Sequence, residues 1–434
     1  MRHSGLFHST PTEHSRPDPR RGSDAERAFR ILKTVVGDYQ GPAGIRLWDG
    51  CRVYGGPEVP GSLVFRDAAF LRQLVLHWSA LTLGEGYLAG RVDAEGAMEP
   101  LFHLIEHLRQ RRLAPGARAR LAWEALHLPR TRAARGPGLR GARAHENSPA
   151  TIAHHYDVGN DFYRLWLDRE MVYSCAYFRD PAQSLEAAQR DKLDYICRKL
   201  RLAPGMDLLD IGCGWGALVC WAARHYGVRA HGITLSRQQY AYARERVRRE
   251  GLEDRVRIEL RDYRDLPPAP AYDRVVSVGM FEHVGVANFP TYFGTVRRVL
   301  RPGGLFLNHG ITNDTGWTQT DIQQFVNRYV FPDGELAPVS EVQDAMEKAG
   351  FEIHDVEGLR RHYALTLRHW VRRLEAHREQ ALQQVPEPVY RLWRLYMAGS
   401  AYYFDEGSVG VYQILAGHQL DRPPLPLRRD DLYH

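Results

Sequence analysis

The chain has 434 residues, of which 44% are hydrophobic and 25% charged, and its formal net charge is +6. These values are typical of a globular protein with two or three domains. The five cysteines are too few and too irregularly spaced for a disulfide framework, and their odd count and the absence of a C-x-x-C pair argue against a structural zinc site. No stretch reaches the roughly 18 apolar residues of a membrane span, and the N-terminus lacks the apolar core of a signal peptide, so we expect a cytoplasmic protein.

The first third of the chain predicts a tail, a small α+β domain and a linker. Residues 1–23 are rich in Pro, Ser, Arg and His, which is typical of a disordered tail. Within 24–127, the stretches RAFRILKTVV, DAAFLRQLVLHW and EPLFHLIEHLRQ have helical periodicity, whereas IRLWDGCRVYG and GSLVFRD alternate like strands. The Arg-, Gly- and Pro-rich run 128–145 is the predicted basic linker.

The segment 109–143 is strongly basic, with ten arginines and a single acid, Glu124. One interpretation is a solvated linker, and the other is contact with an anionic surface, either membrane phosphate or nucleic acid. Apolar residues at near-helical spacing within it favour an interfacial helix over a nucleic-acid arm. These residues are Leu121, Trp123, Leu126 and Leu128.

Residues 146–420 predict a second, catalytic domain, followed by a C-terminal tail at 421–434. From residue 189 onward, amphipathic helices alternate with apolar strands, among them MDLLDIG, VRAHGITL, VRIEL, YDRVVSVGM and GGLFLNHGI. This alternation predicts an α/β fold with a doubly wound, mostly parallel sheet and helices on both faces. A ligand is then expected at the carboxyl ends of the strands.

The stretch LLDIGCGWG lies between a predicted strand and a predicted helix and carries Asp210, Gly212, Gly214 and Gly216. The glycines allow a tight turn and a close approach of a ligand to the backbone. A dinucleotide site spaces its glycines G-x-G-x-x-G and has an acid about 20 residues on, and neither feature is present. A carboxylate inside the motif repels a pyrophosphate but suits a zwitterionic ligand, so the motif favours S-adenosylmethionine over simple packing of helix on strand.

Two further pairs of polar residues follow the next two predicted strands. Thr234 and Gln239 can hydrogen-bond a ribose without charge, and Asp262 and Tyr263 lie where an adenine amino group and ring would bind. The alternative for each residue is a helix cap or an ordinary surface position.

Polar residues also interrupt the apolar runs SVGMFEHVG and FLNHGI, each at the end of a strand. Glu282 and His309 on neighbouring strands beside a cofactor pocket indicate a reacting site, although a lone strand histidine is more often a core residue. A third stretch, MVYSCAYF, places Cys175 downstream of His154 and His155, which leaves open a thiol nucleophile or a small packing residue.

The chain closely resembles the cyclopropane-fatty-acyl-phospholipid synthases and their relatives, the mycolic acid cyclopropane synthases. The resemblance covers about residues 145–405 and rests on a specific combination of stretches: HHYDVGNDFY, MVYSCAYF, LLDIGCGWG, GITLSRQQ, RDYRDL, VSVGMFEHVG, FLNHGI, RYVFPDGEL and HYALTLRHW. It implies a class I methyltransferase-like fold. The region with RLWDG and LGEGYLAGRVD resembles the lipid-contacting N-terminal domain of the phospholipid-acting members, which the mycolic acid enzymes lack.

The resemblance implies that the chain transfers a methylene from S-adenosylmethionine to the cis double bond of unsaturated phospholipid acyl chains. A carbocation loses a proton to bound bicarbonate, the ring closes, and no metal is required. The implied bicarbonate cage is Cys175, through its backbone N–H, with Glu282, His309, Ile311 and Tyr363. The implied cofactor contacts are Tyr173, Ser174, Leu208 to Gly216, Thr234, Gln239, Asp262 and Tyr263. His154 and His155 are then part of a segment that closes over the cofactor.

Aromatic rings are expected to stabilise the carbocation and keep it from water. The candidates are Tyr173, Tyr177, Phe178, Phe281 and Tyr329.

Three alternatives remain open at this point. The same methylation could leave a methylene branch, later reduced to a methyl, because the outcome depends on where the base sits. A non-catalytic lipid-binding protein would require a vestigial cofactor motif. A nucleic-acid methyltransferase would need a base-reading motif such as a Pro-Pro-Tyr-type pocket, and the sequence has none.

The expected partner is unsaturated phospholipid in a membrane surface and not nucleic acid, and the expected location is the cytoplasm, peripheral at the inner membrane surface. A homodimer is a family expectation. The acyl-chain and head-group preferences, and whether the segment 109–143 contacts lipid, are left undetermined by the sequence.

Overall fold

The computed structural model describes residues 19–130, 158–314, 321–331, 335–423 and 425–433. The chain forms two compact units, Met1–Ala134 and Arg135–His434. The division lies inside the segment 128–145 that the composition indicates as a linker. Of that segment only 128–130 are described, and His154 and His155 also lie outside the described residues.

The first unit has an α+β architecture. Its helices are α1 (Pro19–Val36), α2 (Ala68–Leu76), α3 (Ala80–Leu88), α4 (Pro100–Gln110) and α5 (Pro115–Leu126), and its strands are β1 (Ala43–Arg46), β2 (Arg52–Tyr54), β3 (Gly61–Phe65) and β4 (Val92–Gly96). The sheet order is β2-β1-β3-β4, with β1 parallel to β3 and the other pairs antiparallel. Side-chain oxygens of Asp67 and Ser79 cap α2 and α3, as expected for helix N-termini.

Two details of this unit differ from the sequence expectation. Helix α1 begins at Pro19, so residues 19–23 of the expected tail 1–23 are helical, and 1–18 lie outside the described residues. The apolar residues of the Arg-rich segment also do not share one face. Leu121 and Leu128 are buried in the unit, whereas Trp123 and Leu126, two and five residues after Leu121, lie on the opposite side of α5 and are exposed.

The second unit confirms the α/β prediction. Its strands are β5 (Asp207–Ile211), β6 (Arg229–Thr234), β7 (Val256–Leu260), β8 (Tyr272–Val278), β9 (Leu300–Asn313), β10 (Phe351–Gly358) and β11 (Val409–His418). Its helices are α6 (Asn160–Arg164), α7 (Leu185–Lys199), α8 (Ala217–Tyr226), α9 (Arg237–Arg249), α10 (Phe289–Val299), α11 (Asp321–Tyr329), α12 (Val339–Lys348), α13 (Arg360–Ala376), α14 (Arg378–Gln384) and α15 (Glu387–Glu406).

The seven strands form one sheet in the order β10-β11-β9-β8-β5-β6-β7. Strands β5 to β9 are mutually parallel, whereas β11 runs antiparallel between β9 and β10. The chain leaves β5 towards β6 and β7 on one side and returns to β8 on the other. This reversal opens a crevice at the carboxyl ends of β5 and β8, which is where doubly wound sheets bind ligands.

Successive side chains of β5 point to opposite faces of the sheet. Leu208 packs among α7 and α8, and Leu209 and Ile211 pack on the opposite face with α10 and α12. Asp210 therefore lies on the α7 side of the sheet.

The expected C-terminal tail 421–434 packs against the second unit. Leu432 is buried, and its carbonyl accepts a hydrogen bond from Arg198 on α7. The tail is thus part of the outer layer around α7.

Lys199 is a buried charge that joins α7 to the edge of the sheet. Its ammonium lies 3.1 Å from Asp355 and 2.5 Å from Glu357, both on β10. Removing one member of a buried ion cluster leaves charge without compensation. We expect Lys199→Met to lower the free energy of unfolding by about 3 kcal/mol, measured by urea denaturation.

The matched control is Lys348→Met on α12, since Lys348 makes an exposed ion pair with Asp344. Exposed pairs contribute little, so this variant should unfold like the unmodified protein. Equal stability of the two variants would contradict the role given to Lys199.

Candidate active site

A cleft opens at the carboxyl ends of β5, β6 and β8, at the reversal of the strand order. It gathers most of the residues that the sequence assigns to the cofactor. Those that line it are Tyr173, Ser174, Asp210, Gly212, Gly214, Thr234, Gln239, Asp262 and Tyr263. Leu208 and Gly216 are not part of the cleft lining that the described residues form. Leu208 is buried in the sheet, and Gly216 is the N-cap of α8.

The glycine-rich turn shows why the motif needs these residues. Gly212 has φ +87°, and a Cβ atom there would lie 2.8 Å from Cγ of Met280. The backbone N–H groups of Gly212 and Cys213 both donate to the carbonyl of Ile233, at 2.9 and 3.0 Å. The turn is therefore fixed against β6, and its glycines leave the backbone open to the cleft.

Asp210 is the buried anion of this cleft. Its Oδ1 atom has no hydrogen-bond partner among the described residues. Burial raises the pKa of Asp210 to about 7, and the nearby Lys192 acts in the opposite direction. An unpartnered, buried carboxylate that faces a cleft fits the cationic end of a zwitterionic ligand.

The two polar pairs after β6 and β7 line the same cleft. The hydroxyl of Thr234 donates to Oε1 of Gln239 at 2.9 Å, which leaves the amide N–H groups of Gln239 for a ligand hydroxyl. Asp262 also caps the short 3-10 helix Tyr263–Asp265 and is bonded by Arg264. Burial acts to raise the pKa of Asp262, but the hydrogen bonds from Arg264 outweigh it and the pKa is lowered.

The segment 171–178, which contains MVYSCAYF, is held between α7 and α13. The side chain of Gln189 on α7 donates to the carbonyl of Ser174 at 3.0 Å. On the other side, the N–H of Ala176 donates to Thr366 at 3.0 Å, and the N–H of Phe178 donates to Nδ1 of His362 at 2.9 Å. The segment is therefore an ordered wall that reaches the cofactor cleft through Tyr173 and Ser174.

Cys175 is not placed as a nucleophile. Its thiol is buried and donates to the carbonyl of Ala176 at 3.3 Å. Burial raises the pKa of the Cys175 thiol far more than the neighbouring Lys192 lowers it. Since the thiolate is the reactive form, this thiol is inert at neutral pH.

Glu282 is fixed at the end of β8 by the backbone of the next strand. The N–H of Ile311 donates to its Oε1 atom at 2.7 Å, while Oε2 is buried and finds no partner in the described part of the chain. Burial raises the pKa of Glu282 to about 7, against the lowering effect of the Ile311 hydrogen bond. Gly310 makes room for this contact, because a Cβ there would collide with the ring of Phe281.

His309 is a buried neutral imidazole two residues before Ile311. Burial holds its pKa well below the ordinary value, and Lys192 and Lys199 lower it further. Its Nδ1 atom lies 3.3 Å from Nε2 of Gln413 on β11, and its Nε2 atom has no partner within the described ranges. Tyr363 on α13 is buried in the same region as Cys175 and Ile311.

Backbone contacts connect these positions to one another. Ile311 pairs with Val411 across β9 and β11, and the carbonyl of Val411 accepts from the N–H of Leu359. The carbonyl of Leu359 in turn accepts from the N–H of Tyr363 and from the thiol of Cys175. The structure therefore brings Cys175, Glu282, His309, Ile311 and Tyr363 into one buried region beside the cofactor cleft.

Each of the five rings expected to shield the carbocation contacts another aromatic ring. Tyr177 stacks on His362 at 4.9 Å and Phe178 on His369 at 5.7 Å, while Tyr173 lies 5.2 Å from Trp370. Phe281 packs on Phe289, and Tyr329 lies on α11 beside Phe325.

Sequence reasoning missed Lys192 and Gln413. Lys192 lines the cleft from α7, and Gln413 contacts His309 from β11. A signal for Lys192 existed, because Gln189, Lys192 and Lys199 recur at helical spacing on a face that also carries Leu193 and Ile196. Gln413 had no such local signal.

The described ranges contain neither a candidate metal cluster nor a candidate membrane-spanning helix. No group of three or more His, Cys, Asp or Glu side chains there could hold a metal ion. None of the described helices is long and apolar enough to cross a bilayer.

The family model for mycolic acid cyclopropane synthetase matches residues 143–414. A probable fatty acid methyltransferase of Pseudomonas putida is 42% identical over 401 residues, covering 90% of this chain and 96% of that protein. The cyclopropane-fatty-acyl-phospholipid synthase of Escherichia coli is 35% identical over 358 residues, covering 82% and 88%.

Solved structures of mycobacterial enzymes match the second unit. The cyclopropane synthase MmaA2 from Mycobacterium tuberculosis gives a TM-score of 0.60 at 34% identity, covering 62% of this chain and 97% of that one. The mycolic acid cyclopropane synthase CmaA1, solved with SAH (S-adenosylhomocysteine) and CTAB, gives 0.59 at 34% identity, covering 63% and 99%.

Because the pKa of Asp210 is about 7, we predict that the affinity for S-adenosylhomocysteine depends on pH. The ligand ammonium requires the ionised carboxylate, which prevails above about pH 7 because burial raises the pKa to about 7. Affinity should therefore fall about tenfold per pH unit below pH 7 and level off between about pH 7 and 8. Asp210→Asn should bind more weakly at high pH and lose this dependence, as titration calorimetry would show.

Asp262→Asn is the control, because the pKa of Asp262 is lowered and the group does not titrate in this range. It should keep the pH dependence. A wild-type affinity that is constant from about pH 5 to 8 would exclude Asp210 as the partner of the ammonium.

Proposed function

The chain belongs to the mycolic acid cyclopropane synthetase family, and on that premise we propose that it cyclopropanates unsaturated phospholipid acyl chains with S-adenosylmethionine as methylene donor. The family and its S-adenosylhomocysteine complex support an S-adenosylmethionine-dependent transferase that acts on a lipid acyl double bond. The observation that carries the finer proposal is the buried region beside the cleft, where Glu282 and His309 each present a polar atom without a partner among the described residues.

The residues of the cleft fit S-adenosylmethionine, which supplies an electrophilic methyl group. Asp210 suits its ammonium, Thr234 and Gln239 its ribose, and Asp262 and Tyr263 its adenine. An alkene is a weak nucleophile, so the contribution of the protein at this stage is alignment of the double bond with the methyl group. Tyr173 and Ser174 line the cleft on the side of the segment 171–178.

The buried region fits a small oxyanion base, and bicarbonate is the one we propose. The side chain of His309 and the hydroxyl of Tyr363 can donate to its oxygens, as can the backbone N–H of Cys175. Glu282, anchored by Ile311, would accept the hydrogen bond of its OH group and so orient it. The new methyl group on the cationic chain would lose a proton to a base held there, and the freed C–H electron pair would close the ring.

The positions of these residues in the chain support a base site next to the cofactor cleft. Cys175 directly follows Ser174, and Glu282 directly precedes His283, and both Ser174 and His283 line the cofactor cleft. On two separate segments, a residue of the buried region is therefore the immediate chain neighbour of a residue that lines the cleft. The surrounding rings exclude water, which would otherwise trap the cation.

A methyl-branched product is the second candidate. The relative from P. putida and another from M. tuberculosis, 43% identical over 265 residues, are both named probable fatty acid methyltransferases. The two outcomes share all steps up to the carbocation and differ only in which proton the base removes.

The product assay separates these candidates. We expect the purified chain, incubated with S-adenosylmethionine and an oleoyl phospholipid, to yield a C19 fatty acid with a cyclopropane ring, identified by mass spectrometry of the methyl esters. An exocyclic methylene product would contradict the ring proposal.

Glu282→Gln tests the role of the buried region in the same assay. The amide keeps the shape but is a poorer acceptor for the bicarbonate OH, so turnover should fall by about 10²- to 10⁴-fold. The affinity for S-adenosylhomocysteine should stay unchanged, since Glu282 does not line the cofactor cleft. Full turnover in this variant would remove Glu282 from the mechanism.

The first unit supports the phospholipid part of the proposal. On α5, Trp123 and Leu126 are 57% and 55% exposed, and Arg118 and Arg120 are exposed beside them. The one acid of the helix, Glu124, is buried and bonded by Arg27 and Arg30. A surface of aromatic, aliphatic and cationic groups without an exposed acid suits an anionic membrane surface.

The same unit contains an apolar cavity of about 530 Å³ that could hold an acyl chain. Leu32, Phe65, Leu71 and Leu121 are among the residues that line it, and Arg111 and Arg118 supply positive charge. This combination of apolar lining and cationic groups suits the binding of an amphiphilic ligand with an anionic head group.

Vesicle sedimentation tests the α5 surface. The double variant Trp123→Ser with Leu126→Ser should lose most of its binding to vesicles that contain phosphatidylglycerol, because both apolar anchors are removed. Turnover on phospholipid dispersed in detergent should be kept. The control is Leu427→Ser at a fully exposed apolar residue of the second unit, and this variant should bind vesicles normally.

Unchanged binding of the double variant would contradict the α5 surface as the membrane contact.

We further propose that the protein acts in the cytoplasm, peripheral at the inner membrane surface, as a homodimer and without a nucleic-acid partner. Binding of the protein to DNA at the ionic strength of the vesicle assay would contradict the proposed absence of a nucleic-acid partner.

A further inference from the structure

Lys192 is a buried cation at the wall of the cofactor cleft. It lies on α7, is 2% exposed, and lines the cleft together with Ser174 and Asp210. Burying an ammonium group costs several kcal/mol unless a partner compensates for the lost water. Its retention at this position calls for an anionic partner.

The other buried lysine of the same helix shows what such compensation looks like. Lys199 contacts two carboxylates, those of Asp355 and Glu357. The ammonium of Lys192 instead donates to the hydroxyl of Ser174 at 3.0 Å, and no described carboxylate lies within 4.0 Å of it. A neutral hydroxyl does not balance a buried charge.

Neither Asp168 nor Asp210, the two carboxylates near Lys192, forms an ion pair with it in the described part of the chain. Asp168 accepts hydrogen bonds from the backbone N–H groups of Glu170 and Val172, both at 2.9 Å. Asp210 keeps an Oδ1 atom without a partner among the described residues, and it faces the same cleft. The cleft thus presents one buried cation and one buried anion that do not contact each other.

Separated buried charges of opposite sign match a zwitterionic amino acid. We infer that the ammonium of Lys192, with the hydroxyl of Ser174, binds the α-carboxylate of the methionyl end of S-adenosylmethionine, while Asp210 binds its α-ammonium. This inference rests on the proposed use of S-adenosylmethionine and names the groups that recognise its amino-acid end. Lys192 is then a binding residue for the cofactor and not only a support for the segment 171–178.

The protonation of Lys192 agrees with this role. Burial lowers its pKa to about 8, while Asp168, Cys175 and Asp210 act to raise it. The side chain is therefore still mostly charged at pH 7, and a bound carboxylate favours the charged form further.

A ligand without the carboxylate provides the test. Titration calorimetry of the full chain compares S-adenosylhomocysteine with its decarboxylated analogue, which keeps the amine, the thioether and the nucleoside. The unmodified protein should bind S-adenosylhomocysteine roughly 100-fold more tightly, because the analogue leaves a buried charge unpaired. Lys192→Met should reduce this preference to about threefold or less, chiefly by weakening S-adenosylhomocysteine.

Gln189→Leu is the matched control. Gln189 lies one turn earlier on α7 and holds the segment 171–178 through the carbonyls of Val172 and Ser174. Loss of this support should weaken both ligands by the same factor and leave the preference intact. Circular dichroism establishes that each variant is folded.

Equal weakening of both ligands by Lys192→Met would overturn the inference and leave Lys192 a structural residue. Comparable affinity of the unmodified chain for both ligands would overturn it without any variant. Failure of both ligands to bind the unmodified chain would overturn the cofactor assignment itself, whereas the product assay tests methylene transfer to the acyl chain separately.

Discussion

The burial of polar side chains along one face of α7 is the constraint on which the second unit depends. Gln189, Lys192 and Lys199 lie on a face that helices usually fill with apolar residues, and each needs a compensating partner. Gln189 bonds carbonyls of the segment 171–178, Lys192 bonds Ser174, and Lys199 bonds the carboxylates of β10. One helix therefore positions the site wall, one side of the cleft and the edge of the sheet.

The segment 171–178 links the two halves of the chemistry. Ser174 faces α7 and the cofactor cleft, whereas Cys175 packs on the other side with Leu359 and Tyr363. Neighbouring residues of an extended chain point in opposite directions, so one short stretch serves both regions. The proposed base and the proposed methyl donor are thereby held by the same backbone, which limits how far one can move relative to the other.

Several of the predicted residues that line the cleft lie at the ends of parallel strands. Asp210 and Thr234 are near or at the carboxyl ends of β5 and β6, and Asp262 follows β7; the carboxyl ends of parallel strands meet at one edge of a sheet. Leu208 and Gly216 belong to the same motif but lie outside the cleft. Leu208 sits deeper in β5, and Gly216 begins the next helix, so proximity in the motif did not mean proximity to the ligand.

Local periodicity and turn chemistry were enough for the sequence by itself to determine the α/β class, the glycine-rich turn and the polar cleft residues near the ends of the strands. The tertiary structure alone decided that β11 enters the sheet antiparallel, so that Gln413 reaches His309 across 104 positions of the chain. It also decided that Lys192 is buried with a serine as partner, while Lys199 is buried with two carboxylates. The physical reason is that burial and charge compensation depend on partners distant in sequence, which no local pattern records.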